Sequence, residues 1–77
     1  MKSISYQTRI YKDDDGYSVE FPDLPGCFSC GTSLGKAKMY AAEALSLFLE
    51  DFVGEMPEAK VYRGADYYLI SVEIRKR

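Results

Sequence analysis

Histidine and tryptophan are both absent from this 77-residue sequence, which has only two cysteines and three prolines. Without histidine, the chain lacks the side chain that most often acts as general base or metal ligand near neutral pH. Two cysteines are too few for a disulfide scaffold. Because no apolar run reaches about 18 residues, no membrane span is predicted and the cytoplasm is the expected location.

The sequence also lacks a large excess of either sign of charge. Ten basic and twelve acidic residues give a net charge of −2, which argues against nucleic-acid binding through the whole surface. Basic residues gather only at positions 75–77, and three terminal charges are typical of a solvated tail. Because the chain has 77 residues, a single small domain is expected. A domain of this size often needs oligomerisation for stability.

Alternation of apolar and polar residues predicts several strands. It runs through residues 3–10, stops at Asp13–Gly16 and resumes at residues 17–21. An Asp-Gly pair between two such runs predicts a hairpin in which the glycine takes a positive φ. A short third strand is expected at about residues 27–31, and a clear last strand at residues 67–74.

One helix of about 20 residues is predicted before the polar connection 55–66. Thr32 or Ser33 is the expected N-cap, and Gly54 the expected C-terminal cap. Its apolar face comprises Leu34, Ala37, Ala41, Ala44, Leu45, Phe48 and Phe52. The order β-β-β-α-β predicts an α+β fold: a four-stranded, mainly antiparallel sheet with the helix on one face. The last strand is expected to pair in parallel with the first, through a right-handed crossover.

A second apolar stripe lies on another side of this helix. It comprises Met39, Ala42, Leu49 and Val53. Such a stripe either widens the core face or forms a subunit interface, and the second interpretation predicts a homodimer or homotetramer.

Charges at the two ends of the helix oppose the helix dipole. Lys36 and Lys38 lie near its start, and Glu50 and Asp51 lie near its end. Either the surface tolerates these charges, or they serve a partner.

The stretch VEFPDLPGCFSCG, residues 19–31, contains a CxxC pair. A zinc site needs about four ligands, and this pair supplies only two. Residues three apart on a strand point to opposite faces, so the two thiols are not expected to meet. Cys27 and Cys30 are therefore interpreted as small apolar residues. The acidic turn is interpreted as a solvated hairpin, since an EF-hand loop starting at Asp13 needs glutamate where Leu24 stands. No catalytic residue, metal or cofactor is predicted.

Since neither the cysteines nor the acidic turn indicates a metal site, the corner Pro22–Gly26 is the remaining candidate for a functional role. Its two prolines predict a rigid turn that holds Asp23 and Leu24 exposed at the sheet edge, which suits recognition of a partner. Tyr17 and Glu20 on the neighbouring strand complete the candidate partner-binding residues.

The stretch DGYSVEFPDLPGCFSCGTSLGKAKMYAAEAL, residues 15–45, resembles the N-terminal domain of HicB antitoxins. The matching positions are Gly16, Tyr17, Phe21, Pro22, Asp23, Leu24, Pro25, Gly26, Cys27, Gly31, Leu34, Ala37, Ala41 and Ala44. The resemblance implies a truncated ribonuclease-H-like fold without that fold's catalytic carboxylates. It also implies binding rather than catalysis: HicB proteins cover the active site of HicA, a small basic toxin that cleaves mRNA, and they form dimers or tetramers.

The sequence departs from that family's pattern in places. It ends after the last strand, so one HicB-like domain over residues 1–77 is expected, without a C-terminal DNA-binding domain and without direct DNA binding. Thr32, Gly35 and Lys36 stand where the family often has acidic residues, and Cys30 replaces a residue that is commonly polar.

Two functions are compatible with the sequence. The chain is either an antitoxin-like module that neutralises a HicA-like toxin, or a stand-alone oligomeric protein of the same family that binds a small molecule or peptide. A metal-dependent nuclease is disfavoured, because it needs several convergent carboxylates.

Overall fold

The computed structural model describes residues 2–52 and 54–74. Its elements are β1 (Lys2–Asp13), β2 (Gly16–Glu20), β3 (Phe28–Gly31), α1 (Leu34–Asp51) and β4 (Tyr67–Ile74). The strands form one sheet in the order β3-β2-β1-β4, and α1 packs on one face of it. This arrangement confirms the predicted α+β fold.

The pairing of β4 with β1 differs from the prediction. The two strands run antiparallel, with Ser5 opposite Ser71, so the parallel crossover is wrong. The reason is the long connection between α1 and β4, which carries the chain back along the sheet. Pro57 lies beside Tyr6, and the backbone carbonyl of Asp66 accepts a hydrogen bond from the backbone N–H of Ile10. The chain therefore enters β4 from the opposite end.

The helix begins and ends close to the predicted residues. Ser33 is the N-cap, in extended conformation, and its Oγ accepts a hydrogen bond from the N–H of Lys36 at 3.2 Å. The helix ends at Asp51, because Phe52 turns to extended geometry and its ring packs on that of Phe48, with centroids 5.5 Å apart. Gly54 has a φ of +105° but lies beyond this end, so it is not the cap.

The hairpin between β1 and β2 forms as predicted, but its glycine has a different role. Gly16 does not take a positive φ; it pairs with Asp13 as the first residue of β2. A Cβ atom on Gly16 would lie 2.5 Å from the carbonyl oxygen of Gly31. A Cβ on Gly31 would in turn lie 2.6 Å from the backbone nitrogen of Ala37. Both glycines therefore permit close approach of backbones.

The core lies between α1 and the sheet, as the two periodicities predict. Ala37, Ala41 and Leu45 are fully buried on the helix side. The sheet and the corner supply Tyr6, Ile10, Val19, Phe21, Leu24, Cys27 and Ile70. The described residues contain no helix that is long and apolar enough to cross a bilayer.

Candidate functional site

The corner Pro22–Gly26 does not present its central residues to solvent. Leu24 is 0% exposed and Asp23 is 9% exposed, so their predicted exposure is wrong. The reason is local hydrogen bonding: the N–H of Leu24 donates to the carbonyl of Phe21, and the N–H of Cys27 donates to the carbonyl of Leu24, both at 3.0 Å. These bonds close the corner on itself and turn Leu24 into the core.

Asp23 anchors the connection that precedes β4. Its Oδ1 accepts a hydrogen bond from the Tyr62 hydroxyl at 2.5 Å, and its Oδ2 accepts one from the N–H of Lys60 at 2.9 Å. The bond to Asp23 raises the pKa of Tyr62 above its ordinary value. Earlier in the same connection, the carbonyl of Pro57 accepts a hydrogen bond from the Tyr6 hydroxyl. The connection is therefore tied to the sheet at several points.

The face of the sheet opposite α1 carries a set of side chains that no helix or strand of the described residues covers, although Tyr62 of the connection before β4 contacts Gln7 and Tyr67 there. We call this surface the open face. The strand registers place on it Ser5, Gln7, Arg9, Tyr11, Ser18, Glu20, Phe28, Cys30, Tyr67, Leu69, Ser71 and Glu73. Leu69 and Phe28 are its large exposed apolar residues.

Arg9 is the centre of the open face. Its Nη1 lies 3.1 Å from Oε1 of Glu20, and its guanidinium lies over the Tyr11 ring, 4.3 Å from the centroid. The hydrogen bond to Glu20 is the main cause that raises the pKa of Arg9. Tyr67 pairs with Arg9 from the other neighbouring strand. Arg9 is thus held between a carboxylate and an aromatic ring.

The network continues from the open face to the corner. The Tyr67 ring stacks on that of Tyr62, with centroids 5.2 Å apart, and Tyr62 reaches Asp23. Glu20 and Asp23, both predicted from the sequence, therefore belong to one chain of contacts. Tyr17 lies instead on the covered face, partly buried against the core.

An acidic turn flanks one end of the open face. Asp13, Asp14 and Asp15 are all exposed. The pKa of Asp13 is lowered, first by the hydrogen bond from the N–H of Asp14 at 2.8 Å and then by that from the Ser18 hydroxyl at 2.9 Å. This carboxylate is therefore ionised at neutral and mildly acidic pH, and the turn gives this end of the surface a negative field.

The two cysteines point to opposite faces, as predicted. Cys27 is buried and its thiol donates to the carbonyl of Ala44 at 3.8 Å, whereas Cys30 is exposed. Burial raises the pKa of Cys27 to about 11. Within residues 2–52 and 54–74, no three His, Cys, Asp or Glu side chains converge as a metal site.

The predicted second stripe of the helix is not one continuous exposed surface. Ala42 and Leu49 are partly buried and pack against the core, while Met39 is exposed on the solvent side. Val53 lies outside the described residues. The role of these four residues in a subunit interface stays a prediction.

Sequence reasoning missed most of the open face. Arg9, Tyr67 and Leu69 occupy the strand positions that alternate with the core residues. The alternation of side chains along a strand therefore predicts that they share the face away from the core. Tyr62 carried no such signal, because it lies in an irregular segment 39 positions from Asp23.

Comparison with known proteins identifies relatives over nearly the whole chain. A family model described as "HicB_like antitoxin of bacterial toxin-antitoxin system" matches residues 6–75. A 14.9 kDa protein from the rep-hol intergenic region of Haemophilus phage HP1 is 36% identical over 70 residues, which are 91% of this chain and 53% of that protein. This chain thus spans about half the length of the phage relative. The UPF0150 protein Ta0767 of Thermoplasma acidophilum is 40% identical over 48 residues, 61% of this chain and 70% of that protein.

Two solved structures are similar in fold. A chain of the HicA3 and HicB3 toxin–antitoxin complex superposes with a TM-score of 0.69 at 26% identity, covering 95% of this chain and all of that one. The N-terminal domain of the antitoxin HicB from Burkholderia pseudomallei superposes with a TM-score of 0.64 at 18% identity, again over 95% of this chain and all of that one. The second likeness concerns the fold alone.

Proposed function

This chain belongs to the HicB-like antitoxins of bacterial toxin–antitoxin systems, and from that premise we propose that it binds and neutralises a HicA-like toxin protein. The observation that carries the proposal is the family match over residues 6–75. The likeness to a chain of the HicA3 and HicB3 complex supports it. Family membership indicates a role in binding rather than catalysis, and the expected compartment stays the cytoplasm.

The open face is the surface that suits such a partner. Protein interfaces are enriched in aromatic residues and arginine, with apolar residues at their centre and polar groups around them. Arg9, Tyr11 and Tyr67 provide the first kind of residue, and Leu69 provides exposed apolar area. A basic toxin approaching this face would also meet the field of the acidic turn, which speeds encounter and favours one orientation.

The sequence-predicted residues take distinct roles in this proposal. Glu20 contacts the toxin directly, since it is exposed on the open face. Asp23 acts through Tyr62, which it holds against Tyr67. Leu24 and Tyr17 support the surface from the core side, where both are packed.

The test begins with a tagged pull-down from native lysate and mass spectrometry of what co-purifies. A stoichiometric small basic protein is expected, and its affinity is then measured by calorimetry. Leu69→Glu is expected to weaken that affinity at least tenfold, because it places a charge in the contact. Met39→Glu is the matched control, since Met39 is exposed to a similar extent, 56% against 62%, on the opposite side of the molecule.

Two results would contradict the proposal. Recovery of the protein alone, as a clean homo-oligomer, would favour the stand-alone alternative that binds a small molecule or peptide. Equal affinities of the Leu69→Glu and wild-type chains would place the toxin on another surface.

A further inference from the structure

A groove of about 370 Å³ lies between the C-terminal half of α1 and the edge strand β3. We call it the α1–β3 groove. The thiol of Cys27 joins its two walls, since it donates to the carbonyl of Ala44 at 3.8 Å. The other side chains that matter for its chemistry are Phe28, Leu47, Phe48, Asp51 and Phe52. Ligand sites are typically clefts of roughly 300–1,000 Å³ lined by apolar and aromatic side chains with a few polar groups, and this groove has that composition.

Apolar and aromatic side chains make up most of the groove. Phe28 is 72% exposed and Leu47 is 55% exposed, so the fold leaves apolar area uncovered on both walls. On the helix side, the Phe48 and Phe52 rings are partly buried and contact each other, with centroids 5.5 Å apart. Aromatic rings attract a cation that lies over their faces. The groove therefore suits a ligand that is apolar in one part and cationic in another.

The helix end beside this groove is negative. Asp51 lines the groove and Glu50 precedes it, and both side chains are exposed. α1 has no basic residue in its last turn, and its C-cap Phe52 is extended, so no left-handed cap satisfies the last carbonyls. The negative end of the helix dipole adds to the two carboxylates. Within residues 2–52 and 54–74, neither carboxylate forms an ion pair, so a bound cation would balance this charge.

From the rings and the unbalanced negative charge we propose that the α1–β3 groove binds a partner segment in which arginine follows an apolar residue. The guanidinium lies against the Phe52 ring and Asp51, and the apolar side chain packs on Leu47. Arginine suits the site better than lysine, because its planar guanidinium stacks on rings and is more weakly hydrated. The same chemistry holds Arg9 within this chain, between a carboxylate and the Tyr11 ring. The inference does not depend on the proposed toxin binding.

Titration of the isotope-labelled chain with two matched dipeptides, followed by NMR, tests the proposal. The probes are acetyl-leucyl-arginine amide and acetyl-leucyl-citrulline amide, which have nearly the same shape but differ in charge. The arginine dipeptide is expected to shift the backbone signals of residues 26–28 and 44–52 and to bind about tenfold more tightly than the citrulline dipeptide. Equal affinities, or the largest shifts at the acidic turn, would overturn the proposal. Shifts of the groove signals on dilution of the chain alone would assign the groove to a second copy and would also overturn it.

Two variants test whether the preference for arginine comes from the named side chains. Asp51→Asn and Phe52→Leu are each expected to weaken the arginine dipeptide about threefold and to leave the affinity of the citrulline dipeptide within about twofold. Asp14→Asn is the matched control, since it removes an exposed carboxylate of the acidic turn, and it is expected to change neither affinity. Equal losses from Asp14→Asn and Asp51→Asn would indicate attraction by net charge alone and would overturn the proposal. Far-UV circular dichroism checks that each variant is folded, and Asp51→Asn decides if Phe52→Leu is not.

Discussion

Replacing Gly31 by alanine should lower the stability of this domain, whereas replacing Gly35 by alanine should raise it. At Gly31, a Cβ would lie 2.6 Å from the backbone nitrogen of Ala37 and 2.8 Å from its Cα, both in rigid helix backbone. Gly31→Ala therefore forces α1 away from β3, and such overpacking costs about 1–3 kcal/mol. Gly31 has no positive φ, so the cost is steric and no backbone strain adds to it.

Gly35 provides the matched control, four residues further along the chain. It lies in the first turn of α1, and a Cβ there would meet nothing within 4 Å. Gly35→Ala should stabilise the domain by about 0.5–1 kcal/mol, because alanine loses less conformational entropy in a helix.

Thermal unfolding followed by circular dichroism measures both changes. In a domain of this size, 1 kcal/mol shifts Tm by about 4–8 °C. Gly31→Ala should therefore lower Tm by roughly 4–24 °C, whereas Gly35→Ala should raise it by a few degrees. Equal Tm values for Gly31→Ala and the wild type would refute the close contact between β3 and α1.

Two further predictions concern the corner and the thiols. Tyr62→Phe should lower Tm at neutral pH by removing the hydrogen bond to Asp23, whereas Tyr11→Phe, whose hydroxyl bonds to no described residue, should not. Because Asp23 raises the pKa of Tyr62, this stabilisation is complete below about pH 10 and is lost as the pH rises through the raised pKa, so the Tm difference should shrink only in that alkaline range. A Tm difference between Tyr62→Phe and the wild type that stays constant through that range would contradict the hydrogen bond from Tyr62 to Asp23 as its cause. A maleimide at neutral pH should label Cys30 and spare Cys27, whose burial raises its pKa to about 11; mass spectrometry showing two labels on the folded chain would contradict that burial.

The regular elements of this fold follow from side-chain periodicity. The alternating residues of β1 and β2 and the apolar face of α1 each form a long enough pattern to identify the buried side. The core residues Val19, Ala41 and Leu45 lie where these patterns place them. Periodicity works here because each element has one face against the core and one toward solvent.

The direction of β4 and the burial of the corner depend on contacts between distant residues. Antiparallel pairing of β4 follows from the route of the irregular connection, which Tyr6 and Asp23 fix by hydrogen bonds. Two prolines and an aspartate indicate a turn, but they do not show which way it faces. Leu24 is buried because three backbone bonds close the corner against the core, and no local pattern encodes that direction.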